Sequence, residues 1–250
     1  MDINSIHMKK FFYLFLFLPF LCMSQSSAEY KIFENTLLVP NPAQQNQFEA
    51  GLAAHNKKYH GKGDYRAMVY LIMSGPNAGS YIWSMGETTW SAMDKRPADN
   101  DHDADWNANV LQYLTPQSNQ SYWQEKSELS RFNENAVKGL VVDYYDVKRG
   151  KMKEALALIA KIKKVYTDKL PNEAYGVFTN EFSSTKEGKD IAVVSFFGKS
   201  AWISTDNALP KKFDEVYGKG GWDQFMKDWL AVTDGSESEL WLAQPKLSGM

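Results

Sequence analysis

Gly86-Glu87-Thr88-Thr89-Trp90 is echoed further along the chain by Gly198-Lys199-Ser200-Ala201-Trp202, and Asp94 follows the first as Asp206 follows the second. A Gly-x-x-x-Trp motif is short, so its flanks decide whether it marks a repeat. They agree. Trp106 precedes Tyr113-Leu114 as Trp222 precedes Trp229-Leu230, and Trp123 precedes Leu129-Ser130 as Trp241 precedes Leu247-Ser248. Self-similarity at a fixed period marks a repeated supersecondary unit. The chain is therefore read as one unit written twice.

The second copy is the cleaner. Leu140 to Val147 is β-branched and aromatic, which suits a pleated strand. After Gly150, Met152, Ala155, Leu156, Ile159, Ile162 and Tyr166 fall on one helical stripe, with Lys153, Lys161, Lys163 and Lys164 on the solvated face. Tyr175 to Phe182 and Ile191 to Phe197 read as a hairpin, a helix anchored by Trp222 follows, and Trp241 belongs to the closing strand. The first copy repeats this order. Lys31 to Val39 is a strand, and Pro40 and Pro42 break it before a helix of Ala43 to Tyr59 striped by Phe48, Leu52, His55 and Tyr59. Arg66 to Met73 and Tyr81 to Met85 form the hairpin, Trp106 anchors the second helix, and Trp123 to Ser130 closes the unit. The order βαββαβ is the ferredoxin-like split unit. The expected fold is α+β: two tandem ferredoxin-like repeats, 29–131 and 139–250, joined by a linker at 132–138. They pack sheet to sheet as a pseudo-dimeric barrel within a monomer.

Asp143-Tyr144-Tyr145-Asp146-Val147-Lys148-Arg149-Gly150-Lys151-Met152 resembles the opening strand, turn and helix of NIPSNAP-like domains, with Arg149 where that family tends to have proline. Those domains belong to the dimeric α+β barrel superfamily, together with antibiotic-biosynthesis-monooxygenase domains. The resemblance implies a site inside the barrel or between sheet and helices. It also implies that cofactor-free oxygenase or haem-dependent chemistry is the alternative to simple ligand binding. Haem-degrading members use an asparagine, a tryptophan and a histidine, and Asn35, Trp90 and His102 occur here in that order.

The ends and the composition limit the choices. Lys9 and Lys10 precede an apolar run from Phe11 to Met23, and Cys22 and Ser24 fit a small-x-small cleavage pattern. Segment 1–24 is read as a secretory signal peptide, too short for a comfortable membrane span. The folded chain is expected in a periplasm or outside the cell, with lipid anchoring at Cys22 as the alternative. Cleavage removes the only cysteine, and with it thiolate chemistry and disulfides. A net charge of −2 without a basic cluster argues against nucleic acid as a partner. The 8 Trp, 13 Tyr and 14 Phe favour a small apolar or aromatic ligand.

Polar residues on strands are the candidate site, because burying them unpaired is costly. Asn35 and Asp143 hold matching places in the two first strands, and Asn180 and Glu181 interrupt an apolar strand. Trp83, Tyr144 and Tyr145 supply ring faces. His55, on an apolar helix stripe, is either a satisfied core histidine, a base or a haem ligand. His60 is read as a cation capping its helix. Asp99, Asp101, His102 and Asp103 suggest a loose metal loop, against a solvated loop in which Asp105 caps the helix. Trp90 and Trp202 are expected to pack the second helices onto their sheets. No cofactor is called for by any motif; haem or a divalent metal is the alternative. No phosphate loop, nucleophile elbow or His-Glu-x-x-His pair is present. A filled barrel with a structural or interaction role is the remaining reading.

Overall fold

Leu140, Val142 and Tyr144 alternate with Val141, Asp143 and Tyr145 along Gly139–Val147, giving one strand a buried apolar face and a partly buried mixed one. In the computed structural model, which describes residues 28–96, 100–117, 119–133, 137–184 and 186–249, this strand is β5 of a closed antiparallel barrel. The others are β1 (Ile32–Leu38), β2 (Ala67–Ile72), β3 (Tyr81–Thr88), β4 (Asn119–Glu125), β6 (Tyr175–Asn180), β7 (Ile191–Phe197) and β8 (Thr233–Ala243). The described helices are α1 (Gln45–Tyr59), α2 (Trp90–Asp94), α3 (Asn100–Asn109), α4 (Met152–Lys169), α5 (Leu209–Tyr217) and α6 (Gly221–Val232). The signal segment 1–24, with Cys22, lies outside the described residues, as does Asp99. No helix among the described residues is long and apolar enough to cross a membrane.

Around the barrel the order is β1-β3-β2-β8-β5-β7-β6-β4. The chain's first half supplies one four-stranded arc and its second half the other. The arcs form the expected barrel, and they do so by joining edge to edge. Their edges hydrogen-bond, β2 to β8 through Tyr70↔Ala243 to Ile72↔Trp241, and β4 to β6 through Trp123↔Asn180 to Glu125↔Phe178. Closure leaves no unpaired edge. Each seam carries the same fastening. The Ser130 hydroxyl accepts from Val177 N at 2.9 Å and donates to Lys126 O at 2.9 Å. The Ser248 hydroxyl accepts from Val69 N at 2.9 Å and donates to Gln244 O at 2.9 Å. Trp123 and Trp241 stand in the strands as expected, but Leu129-Ser130 and Leu247-Ser248 belong to the turns after them.

The core has three parts. Ile72, Ile82, Trp123, Val142, Tyr144 and Trp241 face the barrel interior. Phe48, Leu52, Val69, Trp83 and Met85 pack α1 and α3 on the first arc. Leu158, Ile159, Val177, Phe213 and Phe225 pack α4, α5 and α6 on the second. α3 lies directly on α1: a Cβ added to Gly51 would stand 1.8 Å from Asn109 O.

Three sequence readings change here. Residues 100–105 are helix rather than loop, so Asp105 and Trp106 lie inside α3 instead of opening it. Trp90 packs on Tyr122 and Phe182, with ring centroids at 5.2 and 5.9 Å, at the start of a five-residue helix. Trp202 sits in a 3-10 turn, stacks on Phe197 and donates its Nε1–H to Glu173 at 2.8 Å. Neither tryptophan packs a second helix onto its sheet.

Candidate functional site

Strand alternation sends neighbouring side chains to opposite sides of the barrel wall. Phe33, Asn35, Tyr70, Trp123, Tyr144 and Trp241 line an interior cavity of about 890 Å³. Burial pushes the Tyr70 hydroxyl up to about 12 and that of Tyr144 well above its ordinary value. Asn35 Oδ1 is buried and has no hydrogen-bond partner in the protein. The charged lining residues Arg66, Glu87 and Glu125 stand level at one end, where Ile32 pairs with Thr88 and Gln124.

A second cavity, of about 470 Å³, lies outside the wall between the second arc and α4, α5 and α6. Tyr145, Tyr166, Tyr175, Trp222, Phe225 and Trp229 supply its rings. Tyr145 meets Trp229 edge-on at 5.0 Å, and Tyr166 meets Tyr175 at 4.8 Å. Burial raises all three tyrosine hydroxyls, so they stay neutral. Asp143 reaches the same space. Its burial raises the carboxyl above the usual range, partly opposed by the hydrogen bond that Ser238 donates.

The described histidines converge elsewhere, beneath α1 and α3. His55 faces inward from α1, His60 ends that helix, and His102 comes from the first turn of α3. Their ring centroids are 4.8 to 5.4 Å apart. Trp106 and Trp83 close the cluster, at 5.0 Å from His55 and His60. His55 Nδ1 lies 2.7 Å from Asp105 Oδ2, and His60 Nδ1 lies 2.7 Å from Tyr65 O. Burial lowers the His55 ring against the opposing pull of Asp105, and lowers that of His60 to about 4. His60 caps its helix with a neutral ring, so the expected cation is not there. Burial is the largest single influence on Asp105 and raises it, but the hydrogen bond and charge of His55, with smaller help from Asn109 and Lys58, together outweigh it and hold the carboxyl low.

The sequence candidates thus divide. Asn35 and Tyr144 reach the barrel cavity, whereas Asp143 and Tyr145 reach the outer one, so Asn35 and Asp143 are not equivalent. Trp83 and His55 belong to the first-arc core, where the Trp83 indole donates to Asn56 Oδ1 at 2.9 Å. Asn180 ends β6 and Glu181 follows it. The Asn180 amide bonds Lys189 O at 3.0 Å, so the pair shapes a turn rather than interrupting an interior strand. Asp101 and Asp103 are exposed on α3, so the aspartate loop is replaced by a histidine cluster that takes in His102. Asn35, Trp90 and His102 occupy three separate environments.

Among the described residues neither cavity lining contains a histidine. The histidines themselves stand ring against ring, with no slot for a porphyrin among them. The residues therefore do not fit a histidine-ligated haem. His60, Asp105, Tyr166, Tyr175, Trp222 and Trp229 take part in these sites without having been singled out for them by sequence.

No protein-family model and no curated protein sequence matches the chain. Solved structures do share its fold. A monooxygenase candidate from Fusobacterium nucleatum superposes with a TM-score of 0.57 at 11% identity, over 87% of this chain and 94% of the other. One from Lactobacillus acidophilus gives 0.54 at 10%, over 86% and 94%. A chlorite dismutase variant from Candidatus Nitrospira defluvii gives 0.54 at 9%, over 87% and 93%. At such identities the likeness is one of fold: this chain is an α+β barrel similar to the dimeric α+β barrel proteins.

Proposed function

We propose that this protein binds a small aromatic or apolar molecule in the outer cavity of its second half. The carrying observation is the wall: six aromatic side chains around about 470 Å³, with the Asp143 carboxyl among them. Concave, largely apolar spaces with a few placed polar groups are the usual form of small-molecule sites. The barrel cavity is larger, but its charges are gathered at one end.

Asp143 favours a second reading, that of an enzyme. A carboxylate held above its ordinary pKa is a better proton acceptor near neutral pH. Facing tyrosine and tryptophan rings, it is placed to take the proton of a bound phenol, the first need of a cofactor-free oxygenase. The monooxygenase candidates among the fold neighbours supply the reaction class to test.

A thermal-shift screen of phenols, quinols and fatty acids tests binding, since a ligand of the native state raises the melting temperature. A shift that Met226→Trp abolishes, by filling the cavity, supports the reading. A screen without shifts removes it. Oxygen uptake with the best phenol separates the two readings: Asp143→Asn should bind the phenol and consume no oxygen.

Other parts of the proposal concern origin and place. The halves are taken as duplicated ferredoxin-like copies, 29–131 and 139–250, of NIPSNAP-like ancestry. The recurring Ser130 and Ser248 fastenings support duplication. Segment 1–24 is taken as an export signal, and the folded chain as a monomer.

A further inference from the structure

We propose that His55, His60 and His102 bind a divalent transition-metal ion of the zinc class through their three Nε2 atoms. The argument starts from the other nitrogen of each ring. His55 Nδ1 lies 2.7 Å from the Asp105 carboxylate, His60 Nδ1 2.7 Å from the Tyr65 carbonyl, and His102 Nδ1 3.0 Å from the Asp103 carboxylate. Carbonyls and carboxylates only accept hydrogen bonds, so each Nδ1 carries the proton. Each Nε2 of a neutral ring is then a bare lone pair.

Those lone pairs meet one another. His60 Nε2 and His102 Nε2 are 3.2 Å apart, a distance at which two acceptors repel. His55 Nε2 is buried and has no partner in the protein. Buried polar atoms are nearly always satisfied, so three converging acceptors without a donor call for a cation. The donor atoms of the three residues all lie within 4.8 Å of one another. A tetrahedral ion with bonds of about 2.0–2.1 Å holds its ligand nitrogens about 3.3–3.4 Å apart. The His60–His102 pair, at 3.2 Å, is within about 0.2 Å of that separation, and on the proposal the His55 ring shifts to complete the set as the ion binds.

The surroundings are those of a metal site. A histidine ligand typically donates its second N–H to a carboxylate or a carbonyl, which fixes the ring and raises its basicity. Three imidazoles select zinc, copper, nickel or cobalt over magnesium and calcium. His55 and His60 are 1% and 3% exposed, whereas the His102 side chain is 21% exposed, so the ion enters past His102 and its fourth position faces solvent. The site does not depend on the ligand cavity, which is built from the second arc.

Titration of the chelator-stripped, tag-free chain with Zn²⁺, Co²⁺ and Mg²⁺ tests this. One equivalent of Zn²⁺ should bind and raise the melting temperature, Mg²⁺ should do neither, and Co²⁺ should give the intense visible bands of a tetrahedral nitrogen site. His102→Ala, at the most exposed of the three ligand positions, should lose at least tenfold in zinc affinity and all of the cobalt spectrum. Asp105→Ala should lose about 10–100-fold, because it frees the His55 ring. Circular dichroism confirms that both variants fold. No zinc binding, equal binding of magnesium, or affinity unchanged in both variants would overturn the proposal.

Discussion

Tyr144 and Tyr145 are joined by one peptide bond, yet their rings occupy different cavities. Tyr144 stands 5.5 Å from Trp123 inside the barrel, and Tyr145 packs edge-on against Trp229 at 5.0 Å outside it. The pair therefore reports which cavity a ligand uses. Tyr145→Ala should weaken binding of the best screened aromatic compound at least tenfold, about 1.4 kcal/mol. Tyr144→Phe should leave it unchanged, as isothermal titration calorimetry would show. The reverse order would move the site into the barrel.

Asp143 gives a pH dependence with a definite sign. Its folded-state pKa is raised by burial, so the unfolded chain gives up the proton first. Between the unfolded value, about 3.9, and the higher folded value the native state binds more protons, and stability falls as pH rises. Urea unfolding should show Asp143→Asn as stable as the parent at the acid end of that window or slightly less so, and more stable at pH 7. A variant that is less stable than the parent at pH 7 would contradict the sign.

The two seam serines should behave alike. Ser130→Ala and Ser248→Ala each leave a buried strand N–H, of Val177 or Val69, without its acceptor. Each should cost about 1–3 kcal/mol in denaturant unfolding. Amide exchange should accelerate at Val177 in the first variant and at Val69 in the second.

Most of this architecture was legible because its strongest elements are locally consistent. The β-branched run Leu140 to Val147 and the stripe through Ala155, Ile159 and Ile162 satisfy propensity and period together. The first part of α3, residues 100–105, escaped notice for a physical reason. The residues α3 turns to α1 are His102, Asp105 and Trp106, which have helical spacing but little shared hydrophobicity, so an apolar-period reading passes over them. Its start among aspartates looks like a loop until α1 is placed beside it. The division between Asn35 and Asp143 was hidden differently. Alternation tells which residues share a face, but only the closed barrel tells which face is inside. His60 was visible as a helix end, while its ring environment depends on Tyr65, Trp83 and α3.

The helix-packed cores on the two arcs should be similarly intolerant of truncation. Phe48 is 0% exposed and Phe213 is 1% exposed, so Phe48→Ala and Phe213→Ala should each cost about 3–5 kcal/mol. Only Phe48→Ala should also weaken zinc binding, because its cavity opens beneath the helix that carries His55 and His60. Parallel denaturation and zinc titrations of both variants check the contrast.

The exchange of edges between arcs makes each half an incomplete object. Residues 29–131 expressed alone would present the free sides of β2 and β4, together with the apolar face that now lines the barrel. Such a fragment is self-complementary: two copies can offer each other the edges that β8 and β6 supply in the intact chain. The covalent link therefore acts as a stoichiometry control. It holds the histidine-bearing half at high local concentration beside the half with the aromatic cavity, and so favours that closure over closure against a copy of itself.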